Sequence, residues 1–181
     1  MKLNLGCGGD VREGYANIDI LGGPNVIKAD LITYLVAAPS NIADKVMLKD
    51  VLEHFSHGFV EDGDKIVHSD IQPGVFELLH LVMKVLKPQG ELYIRVPDFD
   101  WIIDKWLIWK KDGGEADEQM DFARLNWTLC GEIRNGLHDG HHSIWTKYTL
   151  VLLLERIGYK VTEVKSCEPN FEVTAMSLKE K

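Results

Sequence analysis

Three glycines, Gly6, Gly8 and Gly9, stand directly after the first apolar run of the chain. Because glycine has no Cβ, the backbone of such a turn can adopt a positive φ and approach a bound ligand closely. A glycine turn alone is weak evidence for a ligand, since glycines also form simple chain reversals. Its meaning therefore depends on which side chains the neighbouring strands bring to it.

Two aspartates close the next two apolar runs, Asp19 the second and Asp30 the third. In a parallel sheet the carboxyl ends of the strands share one edge, so we expect both carboxylates beside the glycine turn. Asp19 could accept hydrogen bonds from both hydroxyls of a ribose, and Asp30 one from an adenine amino group. Ile20 and Leu31 could flank the purine with apolar surface. The alternative is that both aspartates only cap turns.

The spacing of the turn separates two classes of adenosine cofactor. A dinucleotide-binding turn needs a third glycine, where this chain has Val11, and an acid about 20 residues further on. Gly6 and Asp19 are only thirteen positions apart, too few for a turn, a full helix and the next strand. A nicotinamide-dependent oxidoreductase is therefore the less favoured interpretation.

A late, glycine-flanked segment carries three histidines, His138, His141 and His142, just before a helix that Thr146 can cap. Histidine titrates near neutral pH and is the natural general base, and such loops often carry catalytic residues. We expect His141 or His142 to act as the base. With Asp139, the three imidazoles could instead converge on a divalent metal. No second cluster with ligand spacing supports that alternative, so we expect no metal site.

His54 is the third candidate for the catalytic base. It follows the fourth predicted strand, next to Glu53. The competing interpretation, which the usual fate of such residues favours, is that His54 packs beside Glu53 on the following helix.

Strands alternate with helices along most of the chain. The clearest unit is a helix over residues 73–86, with apolar side chains at helical spacing, followed by a turn and a strand over 91–96. The other predicted strands are residues 2–5, 16–20, 26–28, 45–49, 160–164 and 171–177, and the other predicted helices lie at about 101–109, 115–129 and 146–157.

This alternation predicts one α/β domain over residues 1–181. We expect a doubly wound, mostly parallel sheet with helices on both faces and an antiparallel strand pair at the C-terminal end. Residues 99–145 depart from strict alternation and are predicted to form an acceptor or lid region.

Five segments resemble class I S-adenosylmethionine-dependent methyltransferases and occur in the order of that family: LNLGCGG, GYANIDI, Asp30-Leu31, DVLEH and VLKPQGEL. The similarity covers about residues 1–98, with a looser similarity over 141–164, and GYANIDI is typical of a compact subset of the family. The resemblance implies a Rossmann-like methyltransferase fold and methyl transfer from S-adenosylmethionine to a small-molecule or glycan-like acceptor.

The resemblance also implies which residues hold the cofactor. The glycine turn would border the methionine part, Asp19 would hold the ribose, and Lys49 and Asp50 would lie near the methionine amino group and the acceptor. One departure is Asn4, which stands where many members carry an acid. The expected cofactor-binding residues are Leu5, Gly6, Cys7, Gly8, Asp19, Ile20, Asp30, Leu31, Lys49 and Asp50.

Composition limits the partners. A formal net charge of −8 disfavours a surface for nucleic-acid backbones, and no apolar stretch is long enough to span a membrane. Three scattered cysteines and the lack of an export signal predict a cytoplasmic protein.

Trp101, Trp106 and Trp109 could pack in the core, line the acceptor pocket or join two copies of the chain.

The alternative function is a module that binds S-adenosylmethionine or S-adenosylhomocysteine without catalysing methyl transfer.

Overall fold

The computed structural model describes residues 1–56, 74–111, 128–131 and 140–180, together with the backbone of 59–62 and 65–68. Its centre is a seven-stranded sheet. The strands are β1 (Lys2–Leu5), β2 (Ala16–Asp19), β3 (Val26–Lys28), β4 (Ala43–Lys49), β7 (Leu86–Pro97), β8 (Tyr159–Cys167) and β9 (Asn170–Ser177). Their order across the sheet is β3-β2-β1-β4-β7-β9-β8. The first five strands in this order are parallel, and β9 is antiparallel to both of its neighbours.

This sheet confirms the predicted α/β class, the mostly parallel order and the antiparallel C-terminal strand pair. A separate antiparallel hairpin pairs β5 (Phe59–Asp62) with β6 (Lys65–His68). The described helices are α1 (Leu31–Ala37), a 3-10 helix (Leu52–His54), α2 (Val75–Val85), α3 (Phe99–Lys111) and α4 (Lys147–Ile157). The helix predicted over 115–129 lies almost wholly outside the described residues.

The described helices follow from local sequence signals. The face of α2 that carries Leu78, Leu79 and Val82 is fully buried, as the helical spacing predicts. At α4, the side chain of Thr146 accepts the backbone N–H of Thr149 and completes a capping box. Gly158 ends the same helix in the left-handed conformation, with φ of 105°. Helix α1 was not predicted, because it is short and its sequence lacks a long apolar period.

Buried side chains join the helices to the sheet in one core. Helix α1 packs against α2, and α2 against α4. The Tyr159 hydroxyl, fully buried at the start of β8, donates to the Leu79 carbonyl at 2.9 Å. The turn predicted at 87–90 is instead part of β7, at the place where the pairing of β7 with β4 shifts, between Ala43 and Lys45.

Two leucines of α4 give a matched test of this core. Leu154 is fully buried, whereas Leu152 on the same helix is 37% exposed. We expect Leu154→Ala to lower the free energy of unfolding by about 2–5 kcal/mol, because it removes buried methylene groups and leaves a cavity. Leu152→Ala should cost about 1 kcal/mol or less. Chemical denaturation measures both variants, and equal losses would contradict the observed packing of α4.

Candidate active site

The glycine turn after β1 is fastened to the end of β2 by one carboxylate. The Gly8 N–H donates to Asp19 Oδ2 at 2.8 Å, and the Leu21 N–H donates to Asp19 Oδ1 at 2.9 Å. Asp19 is only 9% exposed. A carboxylate has roughly four acceptor positions, so each oxygen retains a lone pair for a further donor. The structure therefore brings together the turn and the carboxylate that the sequence placed at one edge.

The glycines of this turn have two different roles, because Gly6 packs against a neighbouring side chain whereas Gly8 and Gly9 border open space. Gly6 has φ of 62°, and a Cβ there would lie 2.7 Å from Val51 Cγ2. The turn thus lies directly against the segment that follows β4. Gly8, with φ of 48°, and Gly9 face open space, since a Cβ at either would meet nothing within 4 Å. The side of the turn at Gly8 and Gly9 is accordingly accessible to a ligand.

Asn4 holds the continuation of the turn by donating hydrogen bonds. Its side chain is buried, and Nδ2 donates to the Asp10 carbonyl at 2.7 Å and to Asn17 Oδ1 at 2.9 Å. The Arg12 N–H donates to the same Asn17 oxygen at 2.9 Å. A carboxylate at position 4 could not donate to these two acceptors. The amide therefore has a structural role that explains this departure from the family pattern.

Lys49, expected near the methionine part of the cofactor, forms an ion pair with Asp10. Its Nζ lies 2.8 Å from Asp10 Oδ2, and the same oxygen accepts Arg12 Nη2 at 2.9 Å. These two cations hold the pKa of Asp10 below its usual value, with the Arg12 hydrogen bond as the larger cause. Sequence reasoning missed Asp10 and Arg12, although an acid at the end of the glycine run was a visible signal.

Asp50 lies at the end of β4 in the left-handed region, with φ of 57°. Arg95 of β7 binds its carboxylate through two nitrogens, with Nε donating to Oδ1 at 2.8 Å. The hydrogen bond to Asp50 also raises the pKa of Arg95. Asn170 of β9 lies within 3.5 Å of the same carboxylate. Asp50 thus joins three strands, and Arg95 is a site residue that local sequence patterns did not reveal.

The residues expected around the adenine have different environments. Asp30 is exposed and its Oδ1 accepts the Thr33 N–H at 2.8 Å, which caps α1. One of the two Asp30 oxygens therefore has the capping role that the sequence allowed as the alternative to ligand binding. Ile20 is 49% exposed, whereas Leu31 is 8% exposed and belongs to the core. Ile20 therefore offers more apolar surface at this edge than Leu31 does.

Two further expected cofactor residues, Leu5 and Cys7, are buried. The Leu5 side chain is fully buried in the core, so a ligand at this edge could meet only its backbone. The Cys7 N–H donates to the Ile18 carbonyl at 3.1 Å. Burial, with Asp19 nearby, raises the pKa of the Cys7 thiol. Cys7 is therefore a neutral packing residue and not a thiolate at neutral pH.

The late histidine segment docks on the 3-10 helix after β4. The N–H groups of His142 and Ser143 both donate to the Glu53 carbonyl, at 2.6 Å and 3.1 Å. His54 Nδ1 lies 3.2 Å from the Gly140 carbonyl oxygen, and the rings of His54 and His141 meet edge to face at 5.1 Å. The structure thus brings His54 and His141 together.

The remaining members of the predicted histidine set are placed differently. His142 has an exposed side chain, and the hydrogen bond above comes from its backbone. His138 and Asp139 lie outside the described residues.

Glu53 and His141 have perturbed protonation in this cluster. Burial raises the pKa of Glu53 to about 8, and the nearby charge of Asp50 adds to the shift. Burial, together with His54, lowers the pKa of His141, which favours its neutral imidazole. Sequence reasoning treated Glu53 only as a neighbour of His54 and did not identify it as a site residue.

A small cleft lies beyond the end of β7, in the region predicted to bind the acceptor. His141 forms part of its wall. Another part is held in place by Trp145, whose Nε1 donates to Ser143 Oγ at 2.9 Å, while Ser143 Oγ donates to the Leu52 carbonyl at 3.1 Å. The lining residues are Pro97, Phe99, Ile102, Thr128, Leu129, His141, Ser143, Ile144 and Trp145.

Comparisons with known proteins identify the fold. No protein-family model and no curated protein matches the sequence. Solved structures do match: a SAM-dependent methyltransferase from Methanosarcina mazei is 17% identical, with a TM-score of 0.58, over 99% of this chain and 92% of that one. A SAM-dependent methyltransferase from Archaeoglobus fulgidus is also 17% identical, with a TM-score of 0.53, over 97% of this chain and 85% of that one.

A third similar structure contains ligands. It is the 1,6-didemethyltoxoflavin-N1-methyltransferase of Burkholderia thailandensis, solved with 1,6-didemethyltoxoflavin and S-adenosylhomocysteine bound. It is 12% identical, with a TM-score of 0.58, over 98% of this chain and 71% of that one. The chain therefore has the fold of class I S-adenosylmethionine-dependent methyltransferases, as the sequence resemblance implied. In the part of the chain that is described, no helix has the length and apolar character needed to cross a membrane.

The contact between Gly6 and Val51 can be tested with two glycine variants. We expect Gly6→Ala to lower the free energy of unfolding by about 1–3 kcal/mol, because its methyl group would meet Val51 at a positive φ. Gly9→Ala is the matched control, since its Cβ meets open space, and should change stability by about 0.5 kcal/mol or less. Chemical denaturation measures both, and an unchanged Gly6→Ala would show that the contact is not tight.

Proposed function

We propose that this chain is an enzyme that binds S-adenosylmethionine at the carboxyl edge of β1, β2 and β4 and transfers its methyl group to a small-molecule acceptor. The observation that carries the proposal is the joining of an open glycine turn to the Asp19 carboxylate at this edge. The shared methyltransferase fold supports the choice of cofactor. The sulfonium of S-adenosylmethionine is already an activated methyl donor, so the protein needs mainly to bind and align the reactants.

The residues at this edge fit such a cofactor. The open side of Gly8 and Gly9 leaves room for the methionine part beside the turn. Asp19 keeps a lone pair on each oxygen for the ribose hydroxyls. Lys49, together with Asp10 and Asp50, supplies charged groups for the amino and carboxylate ends of the methionine part.

The adenine part is proposed to lie beside Ile20, Asp30 and Leu31. Ile20 is half exposed and can cover one face of a purine with apolar surface. The Asp30 oxygen that does not cap α1 can accept an amino group. Leu31, which is only 8% exposed, contributes the buried base of this surface.

The acceptor is proposed to bind beside the cleft at His141. The cleft itself has room for only about one water molecule, so its apolar walls and the His141 imidazole would form one part of the acceptor site. The net charge of −8 disfavours nucleic acid. Of the three candidate histidines, we propose that His141 contacts the acceptor because it lines the cleft, whereas His54 contacts the His141 ring and His142 has an exposed side chain.

We also propose a cytoplasmic location for the protein. Its three cysteines are odd in number and scattered along the sequence, which does not suit a disulfide framework.

The connection between β1 and β2 argues against a nicotinamide dinucleotide. Residues 6–15 form turns and contain no helix. A pyrophosphate group is usually bound at the N-terminus of the helix that follows the glycine turn. This described connection has no such helix terminus to offer, so the oxidoreductase alternative lacks its phosphate site.

Removal of the Asp19 carboxylate tests the proposed cofactor site. We expect Asp19→Ala to weaken S-adenosylmethionine binding at least about tenfold, because hydrogen bonds to a charged acceptor contribute about 1.5–3 kcal/mol. Isothermal titration with S-adenosylmethionine and S-adenosylhomocysteine measures this, with NAD as the ligand control. Asp104→Ala, at an exposed position of α3, is the matched protein control and should bind as the parent protein does.

The outcomes distinguish the candidate functions. Unchanged affinity in a folded Asp19→Ala variant would contradict the site, and binding of NAD in place of both methionine cofactors would favour the oxidoreductase. Binding without methyl transfer in a broad screen of acceptors with labelled cofactor would favour the non-catalytic binding module.

A further inference from the structure

We propose that Glu53, His54 and His141 form a binding site for a divalent transition-metal ion, beyond the cofactor site described above. One ligand atom from each of the three side chains can be chosen so that all lie within 4.8 Å of one another. In a four-coordinate zinc site with bonds of about 2.0–2.2 Å, the ligand atoms are roughly 3.3 Å apart. Side-chain movements of about an ångström would therefore bring the three atoms to bonding positions.

The backbone holds the two parts of this cluster together. Glu53 and His54 belong to the 3-10 helix after β4, whereas His141 comes from a loop nearly ninety positions later in the chain. That loop is fastened to the same helix by the N–H groups of His142 and Ser143, which both donate to the Glu53 carbonyl. The convergence of the three side chains is thus built into the fold.

The contact of His54 with Gly140 orients its ring for metal binding. A carbonyl oxygen can only accept, so a hydrogen bond at the 3.2 Å separation requires the proton on Nδ1. In that tautomer Nε2 is the ring nitrogen that would bind a metal. Metal-binding histidines commonly donate their other ring N–H to a carbonyl in this way, which fixes both the tautomer and the ring orientation.

The buried carboxyl group of Glu53 gives an independent indication of a ligand. Glu53 is only 2% exposed, so its side chain is more than nine-tenths buried. Its Oε2 atom has no hydrogen-bond partner in the described part of the chain. The nearby cation Arg95 is bound to Asp50. A buried carboxyl oxygen without a partner is costly, and a bound cation would satisfy it.

The donor set selects the class of ion. Two imidazoles and one carboxylate suit zinc, cobalt and related transition metals, whereas calcium and magnesium prefer sites built from oxygen alone. Three protein ligands leave at least one coordination position open. Because His141 also lines the cleft, that position would lie beside the proposed acceptor site. Only this last step rests on the proposed function, and the metal site itself does not.

The sequence suggested a different set of possible metal ligands, namely His138, His141 and His142 with Asp139. His138 and Asp139 are outside the described residues, and His142 has an exposed side chain. Glu53 and His54, which are distant in sequence from His141, replace them in the present proposal.

Cobalt titration of the full chain tests the site. After treatment with a chelator and dialysis, we expect the protein to take up one equivalent of Co²⁺ with saturable visible absorption. Glu53→Gln and His141→Ala should each weaken Co²⁺ binding at least about tenfold. His80→Ala, at an exposed histidine of α2, is the matched control and should bind Co²⁺ as the parent protein does.

Several outcomes would overturn the site. They are the absence of saturable Co²⁺ uptake, the same uptake in both ligand variants, or a loss in His80→Ala. Thermal unfolding with and without Co²⁺ gives a second readout, because a ligand that binds the native state raises the unfolding temperature. If Glu53→Gln fails to fold, His141→Ala provides the same test from the docked loop. S-adenosylmethionine titration of the metal-free protein keeps failure of this proposal separate from failure of the proposed cofactor site.

Discussion

The Asp19 carboxylate accepts the backbone N–H groups of both Gly8 and Leu21, and the geometry of the whole site edge depends on this pair of hydrogen bonds. One bond closes the turn after β1 against the end of β2, and the other holds the chain as it leaves β2. Hydrogen bonds to a charged acceptor are roughly twice as strong as neutral ones, and the partial burial of Asp19 protects them from competing water. The role of Asp19 in shaping the turn is therefore compatible with the proposed binding of a ribose, because each oxygen has two acceptor positions.

The end of β4 depends on a second constraint, the left-handed backbone of Asp50. An aspartate tolerates this conformation better than most residues, and the ion pair with Arg95 holds its side chain there. The resulting change of direction packs Val51 against the Cβ-free side of Gly6 and begins the 3-10 helix that carries Glu53. One local turn thus connects the glycine loop to the buried carboxyl group.

The features predicted correctly from the sequence are those that local patterns determine. Strand ends in a parallel sheet share an edge, so the glycine turn and Asp19 could be placed together before the structure was known. The ion pairs of Asp10 with Lys49 and of Asp50 with Arg95 join residues about forty positions apart, and no periodicity encodes such pairings. The contact between His54 and His141 was hidden for the same reason, although each residue was singled out separately. Helix α1 was missed because its stability comes from a capping aspartate and from packing on α2 more than from its own short sequence.

The late loop is fastened to the 3-10 helix after β4 mainly through backbone carbonyl groups of that helix. His142 and Ser143 bind the Glu53 carbonyl, and Ser143 Oγ binds the Leu52 carbonyl. Carbonyl groups are present whatever side chains the 3-10 helix carries, so this docking places few demands on the sequence of that helix, whereas the loop must supply the Ser143 hydroxyl. The turn at Gly6 and the carboxylate of Asp19 are held by their own contacts, which do not involve this loop. Because the two halves of this edge are fastened separately, a change in the loop need not disturb the glycine turn.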